Sequence, residues 1–551
     1  MVLHKRKWVY YVAFSFLFVG ILAGSQLQDR YFKLNKNLEI FADILKELDA
    51  YYVDEIDPDI VVKTGLDAML YSLDPYTNFL TEEDLEGFQT FTTGEYGGIG
   101  AIIGKRQEKI IVVMLYKDSP AHKGGLRVGD EISQVNGEDM TDKPITHVSS
   151  LLKGMPNTSV QISVVRHGSK QALAFTLTRE KVTLKNVPYY GVVKEDIGYI
   201  KLASFMNHAA EEVKAAVERL QERDTHKLIL DLRGNPGGIL EEAVKVVNLF
   251  IEQGLPVVAT KSKVASWDKA YKTTQCPYNM TIPIIVLIDP KSASAAEIVA
   301  GVIQDYDRGV LMGKKTFGKG LVQTTRPLSY NTQLKLTTSQ YYLPSGRSIQ
   351  RINHRYRHQE KNTPKETDML EEVFTTQAGR RVCEGSGVAP DIERDQLSLA
   401  PITISLMEKG LIFDYATFFQ SQNDCIVPAQ DFVFSTTQYK DFVAWLQDKD
   451  YAYTIESHVD RLLKQAQQES YTAGVTEQIA LLKTQIQHYK EEDLQKFEEE
   501  IKLILQEEIV ARYHFQEGAI AANLNHDQNI QQACILFQDM CQYHNLLQAP
   551  E

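Results

Sequence analysis

The chain has 551 residues, too many for one hydrophobic core, and we expect several domains. Its 43% hydrophobic and 24% charged residues are an ordinary balance for a folded protein. The net charge of −13 arises wholly from residues 401–551, which hold 23 acidic and 10 basic side chains. No basic stripe is available for nucleic acid, and the five cysteines follow no metal or redox spacing. We therefore expect no nucleic-acid partner, no metal and no cofactor.

The N-terminus carries a targeting signal. The basic segment His4-Lys5-Arg6-Lys7 precedes an uncharged, apolar run from Trp8 to Gln26, which is long enough to cross a bilayer. The small residues Ala23–Ser25 also fit a cleavage site, so a signal peptide and an uncleaved membrane anchor are both open for residues 1–28. The basic flank predicts a cytoplasmic N-terminus and export of the remaining chain.

Residues 29–90 are predicted to form a small helical segment. Apolar residues recur at helical spacing from Leu34 to Val53, and a second helix is predicted at about Pro58–Tyr71. Thr81, followed by three acidic residues, is typical of a helix N-cap.

Residues 91–182 have the pattern of a β domain. A glycine-rich loop opens it, and short strands are separated by the segments Ser119-Pro120-Ala121 and Gly124–Asp130. With Ile132–Gly137, these segments resemble a PDZ domain. The resemblance implies that an extended peptide adds to a sheet edge, while backbone N–H groups of the loop bind its C-terminal carboxylate. The loop residues would be Tyr96, Gly97, Gly98, Ile99 and Gly100.

Residues 183–398 alternate short apolar strands with helices, which predicts an α/β domain with a mostly parallel sheet. Functional groups are then expected at the carboxyl ends of the strands. Two segments lie at such positions: Arg233–Gly238, after the strand Leu228–Leu232, and Ser294, after the strand Ile284–Ile288. The polar residues 352–384 are interpreted as an insertion or mobile loop.

Residues 399–551 are predicted to form a helical C-terminal domain. Its acidic helices could mediate self-association or bind an adaptor, or pack as an ordinary amphipathic core, and their pattern does not choose among these.

The stretch from Pro283 to Gln323 carries the candidate chemistry. Gly313–Gly320 fits the phosphate-loop spacing, but Gly320 stands where magnesium binding needs a hydroxyl, and a strand-like run follows. The alternative is nucleophilic catalysis, with Ser294 at a helix start and Lys319 between two glycines. A lysine can act as a base only when neutral, a state that burial in an apolar pocket favours.

The motifs together resemble the carboxy-terminal processing, or tail-specific, proteases, a family of Ser/Lys peptidases. The resemblance covers about residues 35–395 and includes Asp231–Gly238, Ser292–Glu297, Thr316–Gln323, Gly346–Gln350 and Gly387–Asp391. It implies a crotonase-like protease core.

The resemblance also implies roles for particular residues. Ser294, rather than Ser292, would be the nucleophile, Lys319 the base, and Gln323 the residue that orients the lysine. The oxyanion donors would be the N–H of Ala295 and that of Gly237 or Gly238, and Asp305 would be a structural acid near the site.

The sequence thus predicts a serine endopeptidase of the bacterial cell envelope, on the periplasmic side, anchored in the inner membrane or secreted. Its substrates would be proteins with accessible C-termini, which the PDZ domain either delivers to the site or uses to activate it. The alternative function is an inactive PDZ adaptor, but an adaptor has no need of Ser294, Lys319 and Gln323 together.

Overall fold

A computed structural model describes residues 31–169, 171–351, 372–385, 387–394, 399–451, 453–469 and 473–549. The predicted signal peptide or anchor, residues 1–28, lies outside these ranges, as does most of the predicted insertion at 352–384. Within the described ranges, no helix is both long enough and apolar enough to cross a bilayer.

The N-terminal region forms a compact unit that also includes residues 325–336. Its elements are α1 (31–51), α2 (Pro58–Tyr71) and β1 (Asn78–Leu80). Asp57 caps α2 by accepting the N–H of Asp59 at 2.9 Å, and Pro58 occupies the first turn, where no N–H is needed. β1 pairs antiparallel with the first residues of β18 (Gln333–Tyr342).

A β domain follows the helix α3 (Glu82–Thr93), which begins at Thr81 with a reciprocal capping box to Asp84, as predicted. The elements are β2 (Glu95–Gly98), β3 (Ala101–Arg106), β4 (Lys109–Leu115), α4 (Pro120–Lys123), β5 (Glu131–Val135), β6 (Glu138–Asp139), α5 (Ile145–Leu152), β7 (Ser159–Val165), β8 (Ala172–Thr178) and β9 (Glu180–Thr183). The strands of the domain run in the order β3-β4-β5-β7-β8, β6 pairs with β5, and β2 pairs with β9.

The glycine-rich segment differs in part from the predicted loop. Tyr96, Gly97 and Gly98 lie in β2 and pair with β9, so only Ile99 and Gly100 form the connection to β3. Because Gly97 has no side chain, the segment after Leu152 can approach this strand: a methyl group at Gly97 would lie 2.1 Å from the Gly154 carbonyl oxygen.

The α/β region is built on a six-stranded sheet of order β10-β11-β12-β15-β16-β21, in which every pairing except β10–β11 is parallel. The mostly parallel sheet is therefore confirmed. The region comprises β10 (Tyr189–Lys194), β11 (Ile197–Lys201), α6 (Ala209–Gln221), β12 (Lys227–Asp231), α7 (Leu240–Asn248), β13 (Pro256–Ser262), β14 (Lys269–Lys272), β15 (Ile284–Ile288), α8 (Ala295–Asp305), β16 (Val310–Gly313), β17 (Leu321–Pro327), β18, β19 (Val373–Thr375), β20 (Arg381–Cys383) and β21 (Ile392–Glu393).

Two segments of this region lie outside the parallel sheet. β13 pairs antiparallel with β14 and with the last residues of β18, a partner about 80 residues away along the chain. β19 and β20 form an antiparallel hairpin within the predicted insertion, so the described end of that segment is not an open loop.

The C-terminal domain is helical, as predicted, and its last helices cover the sheet. One face of the sheet packs against α6, α7 and α8, while the other packs Ile229, Ile285 and Leu287 against α15 and α16. Tyr543 fixes this contact because its hydroxyl binds both the N–H and the carbonyl of Ile284, each at 3.0 Å. The helices are α9 (Pro401–Glu408), α10 (Leu411–Gln422), α11 (Thr436–Trp445), α12 (Thr454–Gln468), α13 (Ala473–Lys496), α14 (Glu498–Asn523), α15 (Gln528–Gln538) and α16 (Met540–Asn545).

Candidate active site

Three neighbouring parallel strands, β12, β15 and β16, end at the same edge of the sheet. The segments that follow them are Arg233–Gly238, the turn leading to Ser294, and the connection that carries Lys319. The predicted site segments therefore meet where an open parallel sheet ordinarily places a site.

The loop after β12 is fixed by a buried ion pair. Arg233 donates its backbone N–H and its guanidinium to Asp231, which is 1% exposed. Burial alone would raise the pKa of Asp231, but the charges of Arg233 and Lys201 lower it below its usual range. Arg233 also pairs with Asp527 at 2.8 Å, which ties this loop to the C-terminal domain.

The two candidate serines have different surroundings. Ser292 is completely buried, and its hydroxyl donates to the Leu232 carbonyl at 2.8 Å and accepts the N–H of Asp289 at 3.0 Å. Ser294 is only partly buried and directly precedes α8. Its φ of 57° and ψ of −115° lie outside the regions that residues with side chains ordinarily adopt, a kind of strain that clusters at functional sites.

A single carboxylate connects the segments of Ser294 and Lys319. Glu297 lies in the first turn of α8, is 0% exposed, and accepts the N–H groups of Ser294 at 2.8 Å and Lys319 at 2.9 Å on the same oxygen, Oε2. Its other oxygen accepts the Thr316 hydroxyl at 2.6 Å and the Gly318 N–H at 2.7 Å. Burial raises the pKa of Glu297, and these four hydrogen bonds oppose the rise.

A tyrosine hydroxyl connects the same two segments from their carbonyl side. Tyr341 on β18 is 1% exposed, and its single hydroxyl proton is shared between the carbonyl oxygen of Lys319 and that of Ser294, the latter at 3.2 Å. The two segments therefore share one acceptor for their N–H groups and one donor for their carbonyls.

Lys319 and Gln323 are both partly buried. Lys319 lies two residues before β17 and Gln323 lies within that strand, where its amide donates to the Thr337 hydroxyl at 3.2 Å. This bond uses the amide nitrogen of Gln323 and not its amide oxygen.

Of the two candidate glycines, Gly237 touches the serine turn. A methyl group at Gly237 would lie 2.7 Å from Ser294 Cβ and 2.9 Å from the Ala295 nitrogen. The Gly237 N–H already donates to the Asn235 side chain at 2.8 Å. Within the described part of the chain, neither the Gly238 N–H nor the Ala295 N–H donates to a protein acceptor.

Asp305, at the end of α8, is a buried structural acid. It lies 2.8 Å from the Arg347 guanidinium, with both side chains 1% exposed, and accepts the Ser345 N–H at 2.9 Å. Burial raises the pKa of Asp305 and the Arg347 charge opposes that rise. The pair holds the turn after β18 against α8 and does not reach the serine.

A second candidate site is a groove in the β domain. A cavity of about 780 Å³ lies between β3 and α5, with Ile99, Ile145 and Leu152 among its apolar lining residues. Acidic residues of α3, including Glu86, line its other side, and Glu86 lies 4.0 Å from Lys153. An exposed strand edge beside an apolar helix face is the geometry that accepts an added peptide strand.

Comparisons with known proteins match three parts of the chain. The model of "Peptidase family S41" matches residues 196–355, a PDZ model matches 111–166, and "Probable PDZ-protease, C-terminal helical domain" matches 402–537. The chain is 34% identical to the carboxy-terminal-processing protease of Bartonella bacilliformis over 353 residues, 63% of this chain and 81% of that protein. The chain belongs to the carboxy-terminal-processing proteases of peptidase family S41. It is therefore a serine-type peptidase, and the predicted family is confirmed.

Other proteins are similar to the whole protease or to its PDZ domain alone. A probable CtpA-like serine protease of Staphylococcus aureus is 35% identical to this protease over 63% of the chain and 71% of its own length. Among solved structures, the photosystem II D1 C-terminal processing protease is 24% identical over 64% of this chain and 92% of its own, with a TM-score of 0.35. The PDZ domain of the carboxy-terminal protease from Vibrio cholerae, solved with a peptide, is 28% identical over 16% of this chain and 99% of its own, with a TM-score of 0.16.

Two residues of the protease site were not assigned from sequence. Glu297 had a signal, since an acid three residues after a serine at a helix start is the capping-box spacing and lies here in an otherwise apolar helix. Tyr341 had none, because only the fold brings the end of β18 beside the serine turn.

Proposed function

We propose that this protease uses Ser294 as its nucleophile and Lys319 as its general base. The observation that carries the proposal is the Glu297 carboxylate, which accepts the N–H groups of both residues on one oxygen. A buried charge is costly and is retained where its hydrogen bonds fix a required geometry. The burial of Ser292 supports the choice of Ser294, since a substrate carbonyl cannot reach a hydroxyl enclosed in the core.

The reaction follows from these roles. Neutral Lys319 takes the proton of the Ser294 hydroxyl as the oxygen attacks the scissile carbonyl, giving a tetrahedral oxyanion. Collapse breaks the C–N bond, and the lysine passes its proton to the leaving amine. Water then attacks the acyl-enzyme while Lys319 takes a proton from that water. Collapse breaks the ester bond, the lysine returns the proton to the Ser294 oxygen, and the product leaves with a new C-terminal carboxylate.

The oxyanion would be held by the N–H groups of Ala295 and Gly238. Both groups are without a protein acceptor among the described residues, whereas the Gly237 N–H is engaged by Asn235. The role of Gly237 is then steric: because it has no side chain, its loop can pack closely against the serine turn. Gln323, on the strand after Lys319, would orient the lysine amine.

Substrates would be proteins with accessible C-termini, taken up in the PDZ groove. Ile99 and Leu152, 2% and 4% exposed, form an apolar floor for the last side chain of such a tail. Peptide binding alone would also suit an inactive adaptor, but an adaptor requires neither the Glu297 arrangement nor the lysine. The bound tail is either delivered to the active site or activates it.

The cellular setting is a further part of the proposal. The basic segment and apolar run of residues 4–26 support export to the periplasmic side of a bacterial envelope, through an anchor or a cleaved signal. The acidic helices of the C-terminal domain remain candidates for an adaptor or for self-association.

Cleavage of an unfolded protein with an apolar C-terminal tail tests the proposal. We expect Ser294→Ala and Lys319→Ala to lose roughly 10³-fold or more in kcat/KM without ATP or metal, and the matched change Lys315→Ala, at an exposed lysine, to keep wild-type activity. In the wild type, kcat/KM should rise with pH as the lysine loses its proton. Full activity of Ser294→Ala would overturn the mechanism. Unchanged cleavage of a substrate with a masked C-terminus would instead remove the role of the PDZ groove.

A further inference from the structure

Tyr341 contacts both halves of the proposed dyad, yet no step of the reaction uses it. Its one hydroxyl proton is shared between the Ser294 and Lys319 carbonyl oxygens, and its backbone N–H donates to the Gly320 carbonyl at 3.0 Å. Because the side chain is 1% exposed, water does not readily replace its hydroxyl. One residue of β18 thus holds the serine turn and the lysine segment together.

The contact with Ser294 determines where the next N–H points. The Ser294 carbonyl and the Ala295 N–H belong to one planar, trans peptide, so they point in opposite directions. A hydroxyl that binds the carbonyl therefore directs the Ala295 N–H away from Tyr341. Ser294 has φ 57° and ψ −115°, which local backbone preference does not maintain. The direction of this N–H consequently depends on outside contacts.

The contact with Lys319 has a similar effect on the base. Lys319 lies between two glycines, and Gly318 has a φ of 87°, so the local backbone is intrinsically permissive. Glu297 fixes the N–H of Lys319 and Tyr341 fixes its carbonyl. The next peptide is fixed as well, because the Gly320 N–H donates to the Gln350 side chain at 2.7 Å.

We propose that Tyr341 is a positioning residue that directs the Ala295 N–H toward the oxyanion and sets the backbone of Lys319. The inference rests on the proposed Ser/Lys function and deepens it. Tyr341 does not touch the substrate. It acts through the peptide groups of two residues that do.

The test is Tyr341→Phe, which removes one oxygen and keeps the packing of the ring. We expect kcat to fall roughly 10-fold to 100-fold with KM changed less than about threefold, since losing an oxyanion donor outright costs about 10²- to 10³-fold. Affinity for a peptide boronate, whose tetrahedral adduct with the serine places an oxygen in the oxyanion site, should fall by the same factor. Affinity for the product peptide should not change.

Tyr543→Phe is the matched control. Tyr543 is also buried and its hydroxyl also binds two backbone groups, those of Ile284, at the opposite end of the strand that leads to the serine turn. We expect this variant to lose thermal stability while keeping kcat and boronate affinity. A further variant with 3-fluorotyrosine at position 341 retains the hydroxyl and should keep both quantities within a few-fold.

The outcomes separate the inference from the function on which it rests. Wild-type kcat and boronate affinity in Tyr341→Phe would overturn the positioning role while leaving the dyad intact. An equal loss of boronate and product affinity would also overturn it, since that result means general damage to the fold. If Ser294→Ala remained active, the dyad itself would fail.

Discussion

The proposed active site and the PDZ groove are held in different ways. At the active site, buried polar groups fix the backbone: Glu297 accepts four hydrogen bonds, and Tyr341 holds two carbonyls. The groove is lined by apolar side chains and open to solvent, and its pair Lys153–Glu86 is 4.0 Å apart with 29% and 51% of the side chains exposed. Such an exposed pair contributes little to stability.

The difference follows from what each site must do. Acyl transfer needs donors and a base held at fixed positions before the substrate arrives, because reorganisation during the reaction raises the barrier. A groove that adds a strand obtains its affinity from main-chain hydrogen bonds and apolar contact, which tolerate many sequences. We therefore expect small side-chain changes to lower the catalytic rate severely at the active site, and to weaken peptide binding only gradually at the PDZ groove.

Among changes that leave Ser294 and Lys319 in place, the largest effect is expected from Gly237→Ala. The added methyl group would lie 2.7 Å from Ser294 Cβ and from the Ala293 carbonyl oxygen, contacts that force the serine turn to move. Because a displacement of about 1 Å can cost roughly 10²-fold in rate, we expect kcat/KM to fall by at least that factor. Cleavage of the tailed substrate measures it.

Gly234→Ala, in the same loop, is the control for that change. Gly234 also has a positive φ, of 69°, but nothing lies within 4 Å of an added methyl group. It should lose about 1 kcal/mol of stability from backbone strain and keep its activity. Equal activity of the two variants would contradict the close approach of the loop to Ser294.

A smaller loss is expected from Glu297→Gln. The amide has one carbonyl oxygen, so two of the four donors that meet the carboxylate would face an NH₂ group instead. We expect kcat to fall roughly 10-fold to 100-fold as the serine and lysine segments separate. Glu242→Gln is the matched control, since Glu242 is 4% exposed and accepts the Ala210 N–H of α6, not a group of the serine or lysine segment. A kcat loss in both variants would show that buried carboxylates matter only for folding.

The sequence predicted the parts of this site better than their connections. The strands of the parallel sheet, the helix Ala209–Gln221 and the cap at Thr81 follow local patterns that one sequence carries. The pairing of β13 with β18 follows no local pattern, because the two strands are distant from each other in the chain. Nor could a pattern separate Gly237 from Gly238, since that distinction depends on which N–H meets Asn235.

In the groove, Ile145→Glu should moderately weaken the binding of a tail peptide. Ile145 lines the cavity on α5, and a carboxylate there would lose its hydration when an apolar tail binds. We expect the Kd for a tail peptide to rise roughly 10-fold, about 1.4 kcal/mol, measured by fluorescence anisotropy. Gln161→Glu, on the exposed part of β7, adds the same charge away from the groove and should leave the Kd unchanged. If Ile145→Glu bound the tail peptide as the wild type does, the peptide would lie elsewhere.

The smallest effect on catalysis is expected from Ser292→Ala, only two residues from the nucleophile. Ser292 donates to the Leu232 carbonyl and accepts the Asp289 N–H in the core, so its loss leaves buried groups unpaired at a cost of about 1–3 kcal/mol. Because the turn is also held by the Asp289 carboxylate, which accepts the N–H groups of Ser292 and Gly234, we expect its geometry and kcat to survive. Thermal unfolding and cleavage should both be measured for each variant. Ser292→Ala should lose thermal stability and keep its cleavage activity, whereas Ser294→Ala should keep its stability and lose its activity. The opposite pattern would exchange the roles of the two serines.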